Sequence, residues 1–277
     1  MSKFFFTTRY LLLLLLVTLT LTCSKNSTEV DQIPLSLPPE SSFLIDFSTF
    51  PQRGGQPLPK TGDMFLQTHE NWGWAATNVL VWNTILFVNL AIPVAAFQAS
   101  FSNDPVQQPD GSWVWAYTFP VGPDTFSAEL HGSLSGEGTH WDMYISKNDS
   151  YNHFLWYTGG ADLSFTHGTW TIYKHPDEPI AYLGIEWHRS LSDSTADIRY
   201  TQLAVGDQPG GSYIHYGLTI DFPYNAFYDI FSQVLNNHVD IEWSRETKEG
   251  RVMDAQHFGD DIWHCWNENL DDIVCTD

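Results

Sequence analysis

The chain has 277 residues, of which 33 are acidic and 12 are basic, so its formal net charge is −21. A field of this sign repels phosphate backbones, which argues against nucleic acid as a partner. Aromatic residues make up 15% of the chain and include 12 tryptophans, a composition that favours a strand-rich core. The length suits one all-β domain behind a short export segment.

The first 26 residues have the layout of an export signal. Lys3 and Arg9 form a positively charged start, and an apolar run follows from Leu11 to Leu21. Cys23 comes directly afterwards, and Ser24-Lys-Asn26 follows it. This segment resembles the signal of Gram-negative bacterial lipoproteins, in which the cysteine becomes the lipidated first residue of the mature protein.

The resemblance implies a signal peptide over residues 1–22, fatty acylation (palmitate) of Cys23, and anchorage at the outer membrane of the cell envelope, facing the periplasm or the surface. Thr20 and Thr22 stand where the family usually has leucine and a glycine, alanine or serine. An ordinary secreted protein and an uncleaved anchor are the alternatives. Because residues 23–42 are polar and proline-rich, we predict a lipidated tether there, followed by a single β-rich domain over residues 43–277.

The number of cysteines, three, agrees with a lipidated Cys23. If Cys23 carries lipid, Cys265 and Cys275 remain as an even pair in an oxidising compartment. A disulfide between them would close a loop of about ten residues and could stabilise the fold by roughly 2–3 kcal/mol. The alternative is two free thiols.

The least polar part of the mature chain runs from Asn71 to Phe101. Its pattern fits a helix that is apolar nearly all round and that ends or kinks at Pro93. Three asparagines and the proline make a membrane span a poor interpretation. We predict a buried N-terminal helix; one or two β-strands are the alternative, since Val79–Val88 is rich in β-branched residues.

From Trp113 to Ile220 the chain alternates apolar and polar residues in short segments separated by turn-forming residues. A period of two places each set on one face of a strand. We therefore predict a mainly β fold, in which an antiparallel meander of about 10 strands forms a barrel or sandwich. Candidate strands are 43–47, 112–119, 126–134, 140–147, 153–158, 169–174, 181–188, 197–204, 212–220, 238–246, 251–257 and 261–266.

After Pro223, residues 225–237 show a helical stripe, and Asn225 is a suitable N-cap. We predict one helix there. The acidic tail 267–277 should be solvated. A curved sheet around an apolar helix is similar in architecture to some lipid-carrier lipoproteins.

Two patterns in the sequence suggest chemistry. His238, Asp240 and Glu242 share one strand face, and this row resembles the acidic strand of laminarinase-type glycoside hydrolases, with His238 in the place of the nucleophile. The pairs Glu129-x-His131 and Glu186-x-His188 could form a His/carboxylate metal site with a neighbouring strand. Because eleven histidines make such pairs expected by chance, we predict no metal and no cofactor.

These features predict an envelope protein that binds a small apolar, lipid or carbohydrate ligand without catalysing a reaction. The alternatives are a carbohydrate-active hydrolase that uses Asp240 and Glu242, and a structural or adhesive envelope component. The predicted ligand-binding residues are Trp113, Trp115, Trp141, Trp156, Trp170 and Trp187.

Overall fold

The computed structural model describes residues 33–52, 69–136 and 138–276. The chain divides into two compact units, Met1–Ile33 and Pro34–Asp277, and the architecture below is that of the second unit. The predicted signal peptide, Cys23 and residues 24–32 of the predicted tether lie outside the described residues. Leu35 and Leu37 pack against the core, so packing begins before residue 43.

In the described part of the chain, fourteen strands form one antiparallel sheet in which each strand pairs with the next. The predicted mainly β meander is confirmed. It has more strands than expected, and its two edge strands are not paired with each other, so the sheet is open. The strands are β1 (Val106–Gln107), β2 (Trp113–Val121), β3 (Asp124–Ser135), β4 (Gly138–Lys147), β5 (Tyr151–Asp162), β6 (His167–His175), β7 (Glu178–Arg189), β8 (Ala196–Gln202), β9 (Tyr213–Leu218), β10 (Ala226–Ser232), β11 (Asn237–Trp243), β12 (Gly250–Met253), β13 (His264–Trp266) and β14 (Asp272–Ile273).

A long helix, α1 (Glu70–Ser100), stands where the sequence predicts one, and a short helix, α2 (Ala255–Phe258), follows β12. α1 contacts β2 near one edge of the sheet and β12, β13 and β14 at the other. The helix therefore lies between the two edges of the open sheet. One stripe of α1 is buried, including Trp72, Ala76, Val79, Leu86 and Phe97, whereas other apolar residues of the helix are exposed. The prediction of a buried helix is therefore confirmed for this stripe only.

α1 continues through Pro93 to Ser100, so of the two predicted effects of this proline, an end or a kink, the end is wrong. Proline has no N–H and cannot donate to the carbonyl four residues earlier, which belongs to Asn89. The hydroxyl of Tyr182 on β7 donates to that carbonyl over 3.3 Å. The sheet thus supplies the donor that the proline lacks, and the helix can persist.

The segment before the helix fills the interior of the sheet. Two 3-10 turns, Glu40–Ser42 and Phe47–Thr49, flank an irregular stretch, so the predicted strand at 43–47 is wrong. The inner face of a sheet offers side chains rather than backbone partners, so no ladder can form there. Side chains from the helix and sheet donate to the segment's carbonyls instead, among them Tyr200 to Phe43 (2.8 Å) and Trp72 to Pro51 (3.1 Å).

The predicted helix at 225–237 is also wrong. Residues 226–232 form β10, which pairs with β9 and β11, and a turn follows before β11 begins at Asn237. Ala226, Tyr228 and Ile230 alternate inward with at most 5% exposure, a period of two that the helical stripe concealed. Asn225 caps no helix; its side-chain oxygen accepts from the backbone N–H of Arg245 at 3.0 Å.

The C-terminal segment packs against the domain, so the prediction of a solvated tail at 267–277 is wrong for its central part. Leu270 is buried, and its carbonyl oxygen lies 2.8 Å from Nδ1 of His69. Asp272 on β14 accepts hydrogen bonds from the backbone N–H groups of Glu70 and Asn71, and thereby caps α1. Cys265 and Cys275 form a disulfide that closes this segment.

Candidate functional site

A cleft of about 530 Å³ lies between α1 and one end of the sheet. The wall on the helix side repeats at intervals of three and four residues, which places its members on one helical face. These residues are Trp74, Asn78, Val81, Trp82, Ile85, Leu86 and Asn89. The opposite wall comes from β7 to β11 and their connections, namely Tyr182, Leu183, Gln202, Ser212, Ile230, Phe231, Ser232, Leu235, Asn237 and Val239.

None of the described residues that line this cleft carries a charge. The two asparagines on the helix donate to carbonyls of their own helix, Asn78 to Trp74 at 3.0 Å and Asn89 to Ile85 at 2.6 Å. Burial raises the pKa of Tyr182, so its hydroxyl stays neutral. In a protein with a formal charge of −21, this wall is an uncharged, mostly apolar surface.

The outer side of α1 is apolar as well. By length and composition α1 could cross a membrane, and 33% of its most apolar 18-residue window is buried in the domain. Val81 and Ile85, at the mouth of the cleft, are 48% and 43% exposed, while Phe87 and Val88 are 73% and 70% exposed. Exposed apolar surface of this extent is typical of a ligand, membrane or partner contact.

The six predicted ligand-binding tryptophans all belong to strands. Trp115, Trp141, Trp156, Trp170 and Trp187 lie in the hydrophobic core, and Trp113 is half-buried against it. None of the six lines the cleft under α1. Trp170 packs against Phe43 of the inner segment and Phe97 of α1. The role of the six tryptophans in ligand binding stays a prediction.

Several of these indoles face a glycine on the adjacent strand. Gly159 is paired in register with Trp141 on one side and Trp170 on the other. A Cβ at Gly159 would lie 2.3 Å from the Trp170 ring, and one at Gly132 would lie 2.4 Å from the Trp141 ring. The missing side chains thus make room for flat rings on the inner face of the sheet.

A larger cleft of about 1150 Å³ contains Glu242, one of the two alternative catalytic residues. Its carboxylate is 2.6 Å from the Arg251 guanidinium, which also stacks on Tyr224 and Trp263. Asp240 lies on the same face of β11 but not in this cleft, and burial raises the pKa of its carboxyl, with a further contribution from Asp229. The strands form one sheet rather than the two of a laminarinase-type sandwich.

The two Glu-x-His pairs each gain a second histidine in the fold. Glu129 and His131 on β3 meet His153 of β5, and Glu186 and His188 on β7 meet His167 of β6. Within each group the potential ligand atoms lie within 4.8 Å of one another.

Comparisons with protein-family models, with curated proteins and with solved structures find no match for this chain. The candidate site therefore depends on geometry alone. The helix-side wall of the cleft lies within the helix that the sequence predicts, but the sequence did not indicate that this wall binds a ligand. The available signal was that the helix is apolar nearly all round, which is more apolar surface than one buried stripe requires.

Proposed function

We propose that this protein is an exported, lipid-anchored envelope protein that binds a small apolar ligand, namely the acyl chain of a lipid, without catalysing a reaction. The site is the uncharged cleft between α1 and the end of β7 to β11. The observation that carries the proposal is the absence of charge on the described residues of this wall, in a strongly acidic protein.

The size and chemistry of the cleft support this choice. Small-molecule sites usually measure about 300–1,000 Å³ and are lined mainly by apolar and aromatic side chains with a few polar groups. The cleft has about 530 Å³, with Trp74, Trp82 and Phe231 among its walls. Burial of an acyl chain against such walls contributes roughly 0.8 kcal/mol per methylene group.

The exposed apolar face of α1 supports a location at a membrane. A ligand that enters between Val81 and Ile85 would come from an apolar surface and not from water, because the exposed Val88 continues the same helix face beyond the cleft. Lipidation of Cys23 would keep the protein at that surface. The negative charge disfavours anionic headgroups and nucleic acid, so a neutral or zwitterionic donor bilayer is expected.

Binding of the methyl ester of cis-parinaric acid, a fluorescent and uncharged acyl chain, tests the cleft. Ile85→Glu places a charge at the mouth of the cleft, and we expect the affinity to fall at least about tenfold. Phe87→Glu is the matched control, since Phe87 is on the same helix, is more exposed and does not line the cleft. Equal binding by both variants, or no binding by the unaltered protein, would refute this function and leave the structural role.

Lipid attachment is tested separately with Cys23→Ala. Metabolic labelling with tritiated palmitate should mark the unaltered protein and not the variant, and the variant should leave the membrane fraction. Labelling of the variant to the same extent would contradict the predicted anchor while leaving the binding experiment unaffected.

A carbohydrate-active hydrolase is the second candidate function, because Glu242 lies in the cleft of about 1150 Å³, beside Tyr224 and Trp263. Aromatic rings next to carboxylates suit a sugar ligand. A polysaccharide-cleavage screen of the unaltered protein and of Glu242→Gln distinguishes this role. Cleavage that disappears in the variant would favour the hydrolase over the non-catalytic binding protein.

A further inference from the structure

The outer face of the sheet carries a cluster of three potential metal ligands, remote from the cleft under α1. His167 on β6 and His188 on β7 are directly opposite each other in register, and their rings lie 4.8 Å apart. Glu186, two residues before His188, points from the same face, with its Oε1 atom 3.7 Å from Nε2 of His188. Two imidazoles and one carboxylate thus converge on one position.

The second nitrogen of His188 is held by a carboxylate. Nδ1 of His188 lies 3.1 Å from Oδ1 of Asp197 on β8, the residue directly opposite in register. A carboxylate oxygen accepts hydrogen bonds, so Nδ1–H of His188 is the donor to Asp197, and Nε2 is the nitrogen that faces Glu186.

Asp197 is the kind of hydrogen-bond partner that metal-binding histidines usually have behind them. A metal-ligating imidazole commonly donates its other N–H to a carboxylate, which fixes the tautomer and the ring orientation. Asp197 is in turn fixed by His215 of β9, whose Nε2 lies 3.0 Å from the same oxygen. A Glu-x-His pair that arose by chance on a solvated face would not require the hydrogen-bonded series of His188, Asp197 and His215.

A cation beside Glu186 that could compete with a metal ion for its carboxylate is directed elsewhere. Arg199 on β8 lies opposite Glu186 in register, but its guanidinium stacks on the ring of Tyr213 at 3.6 Å. The Glu186 carboxylate is therefore left to face His188.

We propose that His167, Glu186 and His188 bind a divalent transition-metal ion of the Zn²⁺ type. Two histidines with one carboxylate are an established ligand set for such ions, with metal–ligand distances of about 2.0–2.2 Å. Tetrahedral ligands at these distances are roughly 3.3 Å apart, and the ligand atoms here are already within 4.8 Å of one another. Small side-chain rotations close the site around an ion, and the negative field of the protein attracts it.

Calorimetric titration of the purified protein with Zn²⁺, with Mg²⁺ and Ca²⁺ as comparison cations, tests the site. We expect Zn²⁺ to bind in the presence of excess Mg²⁺, because imidazole ligands favour transition metals over hard cations. His188→Gln and His167→Gln should each remove one equivalent of Zn²⁺. His175→Gln is the matched control, since His175 is an exposed histidine at the other end of β6 from His167. This variant should bind as much Zn²⁺ as the unaltered protein does.

Asp197→Asn tests the positioning role of the outer carboxylate. We expect Zn²⁺ affinity to fall about 10–100-fold, while the visible spectrum of bound Co²⁺ keeps the same coordination bands. Far-ultraviolet circular dichroism verifies that each variant is folded. An unchanged number of bound Zn²⁺ ions in folded His188→Gln and His167→Gln, or displacement of Zn²⁺ by Mg²⁺ at equal concentration, would overturn the proposal.

Discussion

The hydroxyl of Tyr200 donates a hydrogen bond of 2.8 Å to the backbone carbonyl of Phe43, inside the sheet. The inner segment is irregular, so its carbonyls depend on side-chain donors of this kind. Tyr200→Phe leaves the Phe43 carbonyl buried without that donor. We expect the free energy of unfolding, measured by urea denaturation, to fall by about 1–3 kcal/mol.

Tyr157 is the matched control for this experiment. It is also fully buried on the inner face, but its hydroxyl has no hydrogen-bond partner among the described residues. Because Tyr157→Phe removes an unsatisfied polar group, we expect its stability to be unchanged or slightly higher. Equal losses in the two variants would show that the cost comes from removing any buried hydroxyl, and not from the hydrogen bond to Phe43.

Close packing of glycine against tryptophan leads to a second prediction. Gly159→Ala would place a Cβ 2.3 Å from both the Trp170 ring and the carbonyl of Thr169, so the strand or the ring must move. We expect a loss of about 1–3 kcal/mol in the free energy of unfolding. Gly184→Ala is the control, because its Cβ would meet Leu203 at an ordinary 3.6 Å. A stable Gly159→Ala protein would mean that the indole tolerates displacement.

The sheet could be predicted from the sequence because its alternation is local. Leu183, Ile185 and Trp187 point inward in the structure as their period of two predicts. The segment 225–237 carried two periods at once, and only pairing with β9 and β11 decides between them. The stretch around Phe43 is apolar enough for a strand, but its place inside the sheet removes the backbone partners that a strand needs.

The proposed metal site and the cleft under α1 could each be predicted only in part from the sequence. The spacing of Glu186 and His188 gave a shared strand face, whereas His167 and Asp197 join them through register with β6 and β8. Register between strands depends on turns and bulges that a single sequence does not specify. The cleft under α1 was missed for a similar reason, since its second wall comes from strands more than 90 residues away in the chain.

The disulfide between Cys265 and Cys275 should stabilise more than its own loop. It encloses β14, where Asp272 accepts hydrogen bonds from the N–H groups of Glu70 and Asn71 at the start of α1. For a loop of about ten residues we expect Cys265→Ser with Cys275→Ser to cost roughly 2–3 kcal/mol in urea denaturation. Asp272→Ala in the oxidised protein should cost about 1 kcal/mol through loss of the cap alone. A double serine variant as stable as the parent would contradict this role.

Asp162, at the end of β5, should make stability depend on acid pH. Although burial acts in the opposite direction, hydrogen bonds from Ser164, Thr166 and His167 lower the pKa of its carboxyl in the fold. A depressed folded pKa means that its contribution is fully present above the unfolded pKa of about 3.9, and that it is lost progressively as the pH falls from there through the lower folded pKa. Since the group is largely exposed, we expect Asp162→Asn to cost only about 0.5–1 kcal/mol at pH 7.

The test compares urea denaturation of the parent and the Asp162→Asn protein at pH 7 and pH 3. The difference between their free energies of unfolding should shrink at pH 3, because the carboxyl of the unfolded parent is then mostly protonated, and this proton uptake stabilises the unfolded state. Asp177→Asn is the control: the Asp177 side chain is 93% exposed in the β6–β7 turn and should give no difference at either pH. A difference for Asp162→Asn that grows on acidification would show that the carboxyl is stabilised in its protonated form.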